Sequence, residues 1–449
     1  MDFKDYFKDK NVTVMGLGLL GRGVGDALYL AECGAEVIVT DLKTAEELAP
    51  SVALLSTFSN VSFTLGEHRL VDFEKRDFIL VAAGVPLDSI YIAHAKEKGV
   101  PLEMSGSLFA RISQIPIIGV TGTRGKSTVT AMIHHVLREV TGEEILLGGN
   151  VRGVSNLQLL NKVQEDSLCV MELDSWQLQG FGWAEISPQI AVFTNFMEDH
   201  LNYYQKDGRT KGEAMDLYFK DKAQIFLHQE ESDVFITKAE VFEQAQKLSR
   251  VTLGQEVILA DASIIPEDCL LATPGEHNRL NAALAYEALK AVGLTEEEIF
   301  EGLATFKGVE GRLQFMGTFE KGVKVYNDNN ATTPQATIAG LQALGNSDDK
   351  NIVLIAGGAD KGIGTTELAE EIQRTCKEVI LLPGTGSDIL KKSITATEVS
   401  SLKEAVVLAL KKGSEGDIVL FSPAFASFSQ YNNEYERNDE FVIVLKTYE

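Results

Sequence analysis

The amino-acid sequence predicts an α/β protein built on parallel sheets, from three observations. Short apolar runs end in Gly, Asp or Asn; a stretch with helical spacing follows most of them; and 449 residues are too many for one ordinary core.

Length suggests about three domains of roughly 150 residues each, and the apolar runs fall into three groups. The first holds VTVMG (12–16), EVIVTD (36–41) and DFILVAAG (77–84), a small doubly wound domain expected over 1–112. The second starts at IPIIGV (115–120), passes through SLCVMEL (167–173) and IAVFTN (190–195), and ends in an Ala- and Leu-rich helix from about Asn281 to Val292, a central domain over 113–309. After GVEGR (308–312) come VKVYND (323–328), NIVLIAGG (351–358), EVILL (378–382) and DIVLFSP (417–423), a third sheet over 310–449. Successive βα units make parallel strands and leave their carboxyl ends open to ligands.

The balance of 41 basic against 65 acidic residues, a net charge of -24, opposes non-specific attraction to nucleic acid or anionic lipid. Any phosphate must be held locally. Cys33, Cys169, Cys269 and Cys376 are widely spaced and form no CxxC pair, which predicts reduced structural thiols and a cytoplasmic setting. The start, MDFKDYFKDKNV, has no apolar core of a leader, and no apolar run nears the ~20 residues that span a bilayer.

The strongest motif is Gly119-Val-Thr-Gly-Thr-Arg-Gly-Lys-Ser-Thr128, between an apolar strand and the helical TVTAMIHHVLREV. Its glycines, Gly122 and Gly125 among them, let backbone amides of the loop, including that of Thr123, face phosphate oxygens. Lys126 neutralises the outer phosphates, and the hydroxyl of Ser127 or Thr128 ligates Mg²⁺. Gly119 lies one residue too early for GxxxxGK[ST], so this is a variant ATP loop. The sequence Gly16-Leu-Gly-Leu-Leu-Gly21 follows the first strand and Asp41 closes the second, which supports a nucleotide or sugar-nucleotide site at that helix start. Packing glycines, or an NAD site, are the other readings of that weaker motif.

Glu172 ends an apolar strand and is placed to hold Mg²⁺, directly or through water. His200, in Asn195-Phe-Met-Glu-Asp-His200, follows another strand end and, when neutral, ligates a second metal or contacts an acyl phosphate. His134 and His135 fall mid-helix and read as structural.

Taken in order, TGTRGKST, ELDSWQL, NFMEDHLNYY, GEHNRLNA, the GR at 311–312, NDNNATTP, AGGADKG and SPAFASFSQYNNEYERNDEF follow the arrangement of the Mur ligases. The chain resembles that family over essentially its whole length, and most closely the branch that adds glutamate. The resemblance implies a Rossmann-like N-terminal domain, a central P-loop ATPase-like domain and a Rossmann-like C-terminal domain. It implies an ATP-dependent ligase that adds D-glutamate to UDP-N-acetylmuramoyl-L-alanine through an acyl phosphate, in peptidoglycan precursor synthesis, with two Mg²⁺ sites and a monomeric state.

By position, the family's UDP contacts fall to Gly18, Leu19, Asp41, Lys43 and Gly84. Lys126 and Ser127 grip the phosphates, with Thr128 or Glu172 on the first Mg²⁺. Asn150, in GGNVRG, matches a substrate contact. His200 shares a second Mg²⁺ with a carbamylated lysine, best matched by Lys222 in YFKDKAQIF. Asn278 and Asn281 match residues near the adenine, and Arg312 and Asp328 match contacts to ATP. Thr332, Lys361, Ser427 and Phe428 match positions around the incoming amino acid. Read from its own surroundings, Lys222 is an ordinary helix-surface lysine.

Four positions depart from the usual pattern: Arg124 stands for Asn, Asp174 for Ser, Asn330 for a lysine and Glu434 for Phe. Losing a cation and gaining a carboxylate near a dicarboxylate amino acid weakens its hold, so L-glutamate or another amino acid is the alternative substrate. An NAD-dependent dehydrogenase with an added nucleotide domain is the alternative from another class. An idle binding protein is disfavoured because Lys126, Glu172, His200, Asp328 and Lys361 are all present.

Overall fold

The computed structural model describes residues 3–448 apart from 19–20, 207, 249–253, 268, 270, 272–273, 347–348, 429 and 432. It contains three sheets in chain order. The first holds β1 (Asn11–Met15), β2 (Glu36–Asp41), β3 (Val61–Leu65), β4 (Phe78–Val81) and β5 (Leu102–Glu103), in the order β3-β2-β1-β4-β5. The second holds β6 (Ile117–Thr121), β7 (Leu146–Gly149), β8 (Cys169–Glu172), β9 (Ile190–Phe193), β10 (Val234–Thr237) and β11 (Glu256–Leu259), in the order β11-β10-β9-β6-β8-β7. All pairings in both sheets are parallel.

The third holds β12 (Gln314–Thr318), β13 (Lys324–Asn327), β14 (Ile352–Ala356), β15 (Cys376–Leu381), β16 (Thr397–Glu398) and β17 (Ile418–Phe421), in the order β12-β13-β17-β14-β15-β16. Only β12 runs antiparallel, as an edge against β13. Every strand read from the sequence is present. The strands β3, β5, β7, β10, β11, β12 and β16 were not read, because they are short, half-polar or at sheet edges. The helix expected from about Asn281 begins earlier, at Glu276.

Compactness divides the chain into two units: residues 1–261 with 284–299, and residues 262–283 with 300–449. Unit 1 carries the first two sheets on one continuous apolar core, from Val12, Val14 and Leu80 through Leu108 and Phe109 to Cys169, Met171 and Phe193. Unit 2 carries the third sheet, with one core layer around Val353, Ile355, Val419 and Phe441 and another around Leu354, Ala356, Leu368 and Leu420. Alternate residues of the central strands serve opposite layers, as a sheet covered on both faces requires. Among the described residues no disulfide joins Cys33, Cys169, Cys269 or Cys376, and three of the four are buried. Among the described residues no helix is long and apolar enough to cross a membrane.

Candidate active site

Parallel strands put the residues singled out after β6, β7, β8 and β9 on one edge. The neighbours β7, β8, β6 and β9 end at Gly149, Glu172, Thr121 and Phe193, so the segments that follow, carrying Asn150, Asp174, the phosphate loop and Asn195–His200, emerge side by side. The register pairs Val120 and Gly149 with Glu172, and Thr121 with Phe193.

The phosphate loop is held from β9's side. Thr123 N donates to Asn195 O at 2.9 Å and Arg124 N to Asn195 Oδ1 at 2.9 Å. Thr194 Oγ1 and Asn195 Nδ2 both donate to Arg124 O, at 2.5 and 3.0 Å. Gly122, at φ +140°, sits where a Cβ would come within 2.0 Å of Thr194 Oγ1, so only glycine fits. Gly125, at φ +83°, caps helix Lys126–Thr141, and the buried Thr128 lies in its first turn.

Lys126 and Lys222 meet at one acceptor. Lys126 Nζ donates to Gly122 O at 3.0 Å and to Thr123 O at 3.2 Å, and Lys222 Nζ donates to the same Gly122 O at 2.8 Å. Lys222 is 1% exposed, so the surface-lysine reading is overturned. Helix Lys211–Ala223 turns it inward beside Ala214, Tyr218 and Phe219, and its ammonium lies 5.0 Å from the Tyr218 ring centre. Burial, then the neighbouring Lys126 charge, holds its pKa well below the ordinary lysine value, against the attraction of Asp174, Asp199 and Glu172. Burial thereby favours the neutral amine.

His200 has a positive φ of 53° and starts the short helix Leu201–Tyr204. Its ring lies 4.7 Å from that of Trp176 and 5.8 Å from that of Tyr218. Burial lowers its pKa, which favours the neutral imidazole a metal needs. Asp199, ahead of it, accepts from His200 N at 2.9 Å through Oδ1 and pairs through Oδ2 with Arg124 Nη1 at 2.9 Å. The guanidinium at the unusual Arg124 therefore also ties the phosphate loop to the His200 segment.

Glu172 is 7% exposed. Among the described residues its carboxylate accepts one hydrogen bond, from Asn150 Nδ2 at 3.3 Å. A buried carboxylate with that little hydrogen bonding is a hard oxygen donor that suits Mg²⁺. No cluster of three or more His, Cys, Asp or Glu occurs among the described residues. The residues fit the ion on condition that Lys222 is converted to an acid.

The expected nucleotide-sugar residues gather at the carboxyl edge of the first sheet, after β1, β2 and β4. Asp41 supports the loop rather than facing outward: Oδ2 accepts from Leu17 N at 2.8 Å and Gly18 N at 3.3 Å, and Oδ1 from Lys43 N at 2.9 Å. Gly84, at φ +89°, lies against the Trp176 ring. Leu19 lies outside the described residues.

In unit 2, Asp328, Thr332, Lys361 and Ser427 follow the ends of adjacent strands β13, β14 and β17. Asp328 is buried, accepts from Ser422 Oγ at 2.8 Å and Leu313 N at 3.1 Å, and burial pushes its pKa up to about 7. Lys361 Nζ donates to Thr332 Oγ1 at 3.0 Å. Ser427 is buried and Phe428 is 70% exposed. Arg312 closes a small bridge with Val309. Asn278 and Asn281 are buried on one helix, with Asn281 Nδ2 donating to Asn278 Oδ1 at 3.1 Å.

The two departures in unit 2 belong to one network. Asn329 Nδ2 donates to Asn330 Oδ1 at 3.2 Å and to Glu434 O at 2.9 Å. Beneath it Arg437, 1% exposed, donates to Asn329 Oδ1 at 2.8 Å and Asn329 O at 2.9 Å. Sequence reading missed Arg437, Asp199, Trp176 and Arg22; Arg437 lies inside SPAFASFSQYNNEYERNDEF and Arg22 directly after the first glycine loop, which are the signals that mark them.

The family model described as the Mur ligase middle domain matches residues 120–258, and the one described as the Mur ligase glutamate ligase domain matches 311–425. A UDP-N-acetylmuramoylalanine--D-glutamate ligase of Roseiflexus sp. is 33% identical, covering 98% of this chain and 99% of that protein. One from Streptococcus mutans is 33% identical over 98% of each chain. Among solved structures, UDP-N-acetylmuramate-alanine ligase MurC from Thermotoga maritima is similar at a TM-score of 0.61 and 20% identity, covering 98% of this chain and 100% of that one, a likeness of fold. The motif order, the convergence of the phosphate loop with Glu172, His200 and a buried Lys222, and full-length relatives at this identity together mean that the chain belongs to the Mur ligase family.

Proposed function

We infer that this chain joins D-glutamate to UDP-N-acetylmuramoyl-L-alanine at the cost of ATP, a step in peptidoglycan precursor synthesis. The observation that carries the reading is the shared carbonyl of Gly122, which places the phosphate-loop Lys126 beside the buried Lys222, with Glu172 and His200 on the same sheet edge. Full-length relatives bearing the D-glutamate ligase name support the choice of substrates.

A substrate carboxylate oxygen attacks the γ-phosphorus of ATP, and ADP departs. The amino-acid nitrogen then attacks the acyl carbon, phosphate leaves, and the amine gives up a proton. Loop amides and Lys126, released from the Gly122 and Thr123 carbonyls, offset charge on the phosphoryl oxygens. Neutral Lys222 Nζ attacks the carbon of CO₂, forms an N–C bond and loses a proton to solvent, which turns the amine into an anionic oxygen donor. When bound, Mg²⁺ supplies charge neutralisation of the phosphates, with Thr128, Glu172, His200 and carbamylated Lys222 as its holders.

The first domain, 1–112, holds the UDP moiety through Gly18, Leu19, Asp41, Lys43 and Gly84, with Asp41 acting through the loop it braces. Asn150 contacts the substrate's acyl end. In the third domain, 310–449, Arg312 and Asp328 contact ATP, and Thr332, Lys361, Ser427 and Phe428 surround the amino acid. Asn278 and Asn281 lie near the adenine. Phosphate release by the purified protein with ATP, Mg²⁺ and the nucleotide sugar tests this, comparing D-glutamate with L-glutamate and other amino acids. Release that needs both the nucleotide sugar and D-glutamate is expected; release with another amino acid moves the substrate, and none under any combination rejects the ligase.

A further inference from the structure

Two hydrogen bonds run in series from the first glycine loop to Glu172. Arg22, the first residue of helix Arg22–Glu32, donates through Nη1 to Asn150 Oδ1 at 2.5 Å. Asn150 Nδ2 in turn donates to Glu172 Oε1 at 3.3 Å. Each end is one-sided, since a guanidinium only donates and an ionised carboxylate only accepts. An amide between them has a single orientation that satisfies both, with its oxygen toward Arg22 and its nitrogen toward Glu172. Arg22 therefore sets how Asn150 faces the carboxylate.

The same helix is fastened to the central segment independently of Arg22. Asp26, one turn on and 5% exposed, accepts from Ser155 Oγ at 2.6 Å and Leu157 N at 3.1 Å. Gly25 allows this approach, because a Cβ there would stand 2.6 Å from Ser155 Cβ. Asn156 Oδ1 accepts from Gly149 N at 2.7 Å, which anchors the segment next to Asn150. The scaffold thus outlives the loss of Arg22's charge. A cavity of about 160 Å³ opens beside the relay, lined by Gly16, Gly18, Arg22 and Asp26.

We propose that Arg22 is a positioning residue that couples an anionic nucleotide ligand at the first glycine loop to a divalent cation at Glu172, through Asn150. A phosphate group at the loop competes for the guanidinium. Asn150 then loses the partner that holds its amide, and Glu172 Oε1 is released to a cation. The two ligands strengthen each other's binding, and by linkage the effect is reciprocal. The proposal rests on the nucleotide-sugar reading of that loop.

The test measures Mn²⁺ affinity by the bound-ion electron paramagnetic resonance signal, in full-length protein with and without UDP-N-acetylmuramoyl-L-alanine, for wild type, Arg22→Ala, Arg22→Lys and Asn150→Ala. The nucleotide sugar is expected to tighten Mn²⁺ at least about fivefold in wild type. That ratio should fall to near one in Arg22→Ala and in Asn150→Ala, and be partly kept in Arg22→Lys. Melting temperatures within a few degrees of wild type separate this from unfolding. A ratio near one in wild type that binds the nucleotide sugar overturns the coupling alone, as does a wild-type ratio retained in Arg22→Ala. Wild type that binds no nucleotide sugar overturns both the coupling and the functional reading beneath it.

Discussion

Lys126 and Lys222 donate to one carbonyl oxygen, that of Gly122, at 3.0 and 2.8 Å. Two ammonium groups sharing an acceptor in a buried setting repel, and the fully buried one yields its proton more readily. The phosphate loop thereby primes the lysine that the proposed chemistry needs as a neutral amine.

Replacing Lys222 by Met should separate stability from activity. Between its depressed folded pKa and the ordinary 10.5, the unfolded chain holds a proton that the folded chain lacks, so this lysine lowers stability at neutral pH and the deficit fades as pH rises. Lys222→Met should therefore melt a few degrees higher than wild type near pH 7, with the gap closing toward pH 10, by scanning calorimetry. Phosphate release should fall at least about 100-fold. A variant less stable than wild type at pH 7 would contradict the account.

Asp328 gives the opposite slope. Its folded pKa, about 7, lies above the ordinary 3.8, so its contribution is fully present below 3.8 and is lost as pH rises through about 7. Asp328→Asn keeps a neutral side chain of the same shape. Urea unfolding at pH 5 and pH 8 should show the variant gaining on wild type with pH, by at most about 1.4 kcal/mol per pH unit.

Arg124 and Asp199 bind the phosphate loop to the His200 segment across a half-exposed ion pair. Arg124→Asn, which restores the residue usual at this point of the family, should raise the Mg²⁺ concentration at half-maximal activity about threefold to tenfold by loosening His200. Asp199→Asn should do the same, and the double variant should be no worse than either single one, since both remove one contact. Additive effects in a Mg²⁺ titration would mean that the two residues act separately.

Arg437 carries a buried charge with no carboxylate on it among the bonds it makes, to Asn329 and Phe425 O. Burial lowers its pKa to about 10. Arg437→Met should leave the Asn329 acceptors unsatisfied and cost about 3 kcal/mol in chemical unfolding. It should also weaken amino-acid selection, because Asn329 is the link between Asn330 and Glu434; a KM for D-glutamate equal to that of wild type would deny the second part.

Much of the architecture was legible because it depends on local pattern. An apolar run ending in Gly, Asp or Asn before a helical stretch is a βα unit whatever surrounds it, and VTVMG, IPIIGV and NIVLIAGG each became a strand. The edge strands β3, β7 and β12 escaped notice because they are short and their half-polar or glycine-rich residues carry no period of their own. The phosphate loop was legible for the same local reason, with its glycines and Lys126 adjacent in the chain.

The amino-acid sequence alone determined the fold class, the phosphate loop and the motif order that places the chain among the Mur ligases. Only the tertiary structure decided that Lys222 is buried rather than on a helix surface, that Asp41 braces the first loop, and that Arg22, Asn150 and Glu172 form a line. Those facts depend on segments separated in the chain meeting at the carboxyl edges of parallel strands, as when Arg22 reaches Asn150 across 128 positions and Lys222 reaches Gly122 across 100. Burial and hydrogen-bond partners are properties of such meetings, and the pKa of a buried amine follows from them and not from its neighbours in the chain.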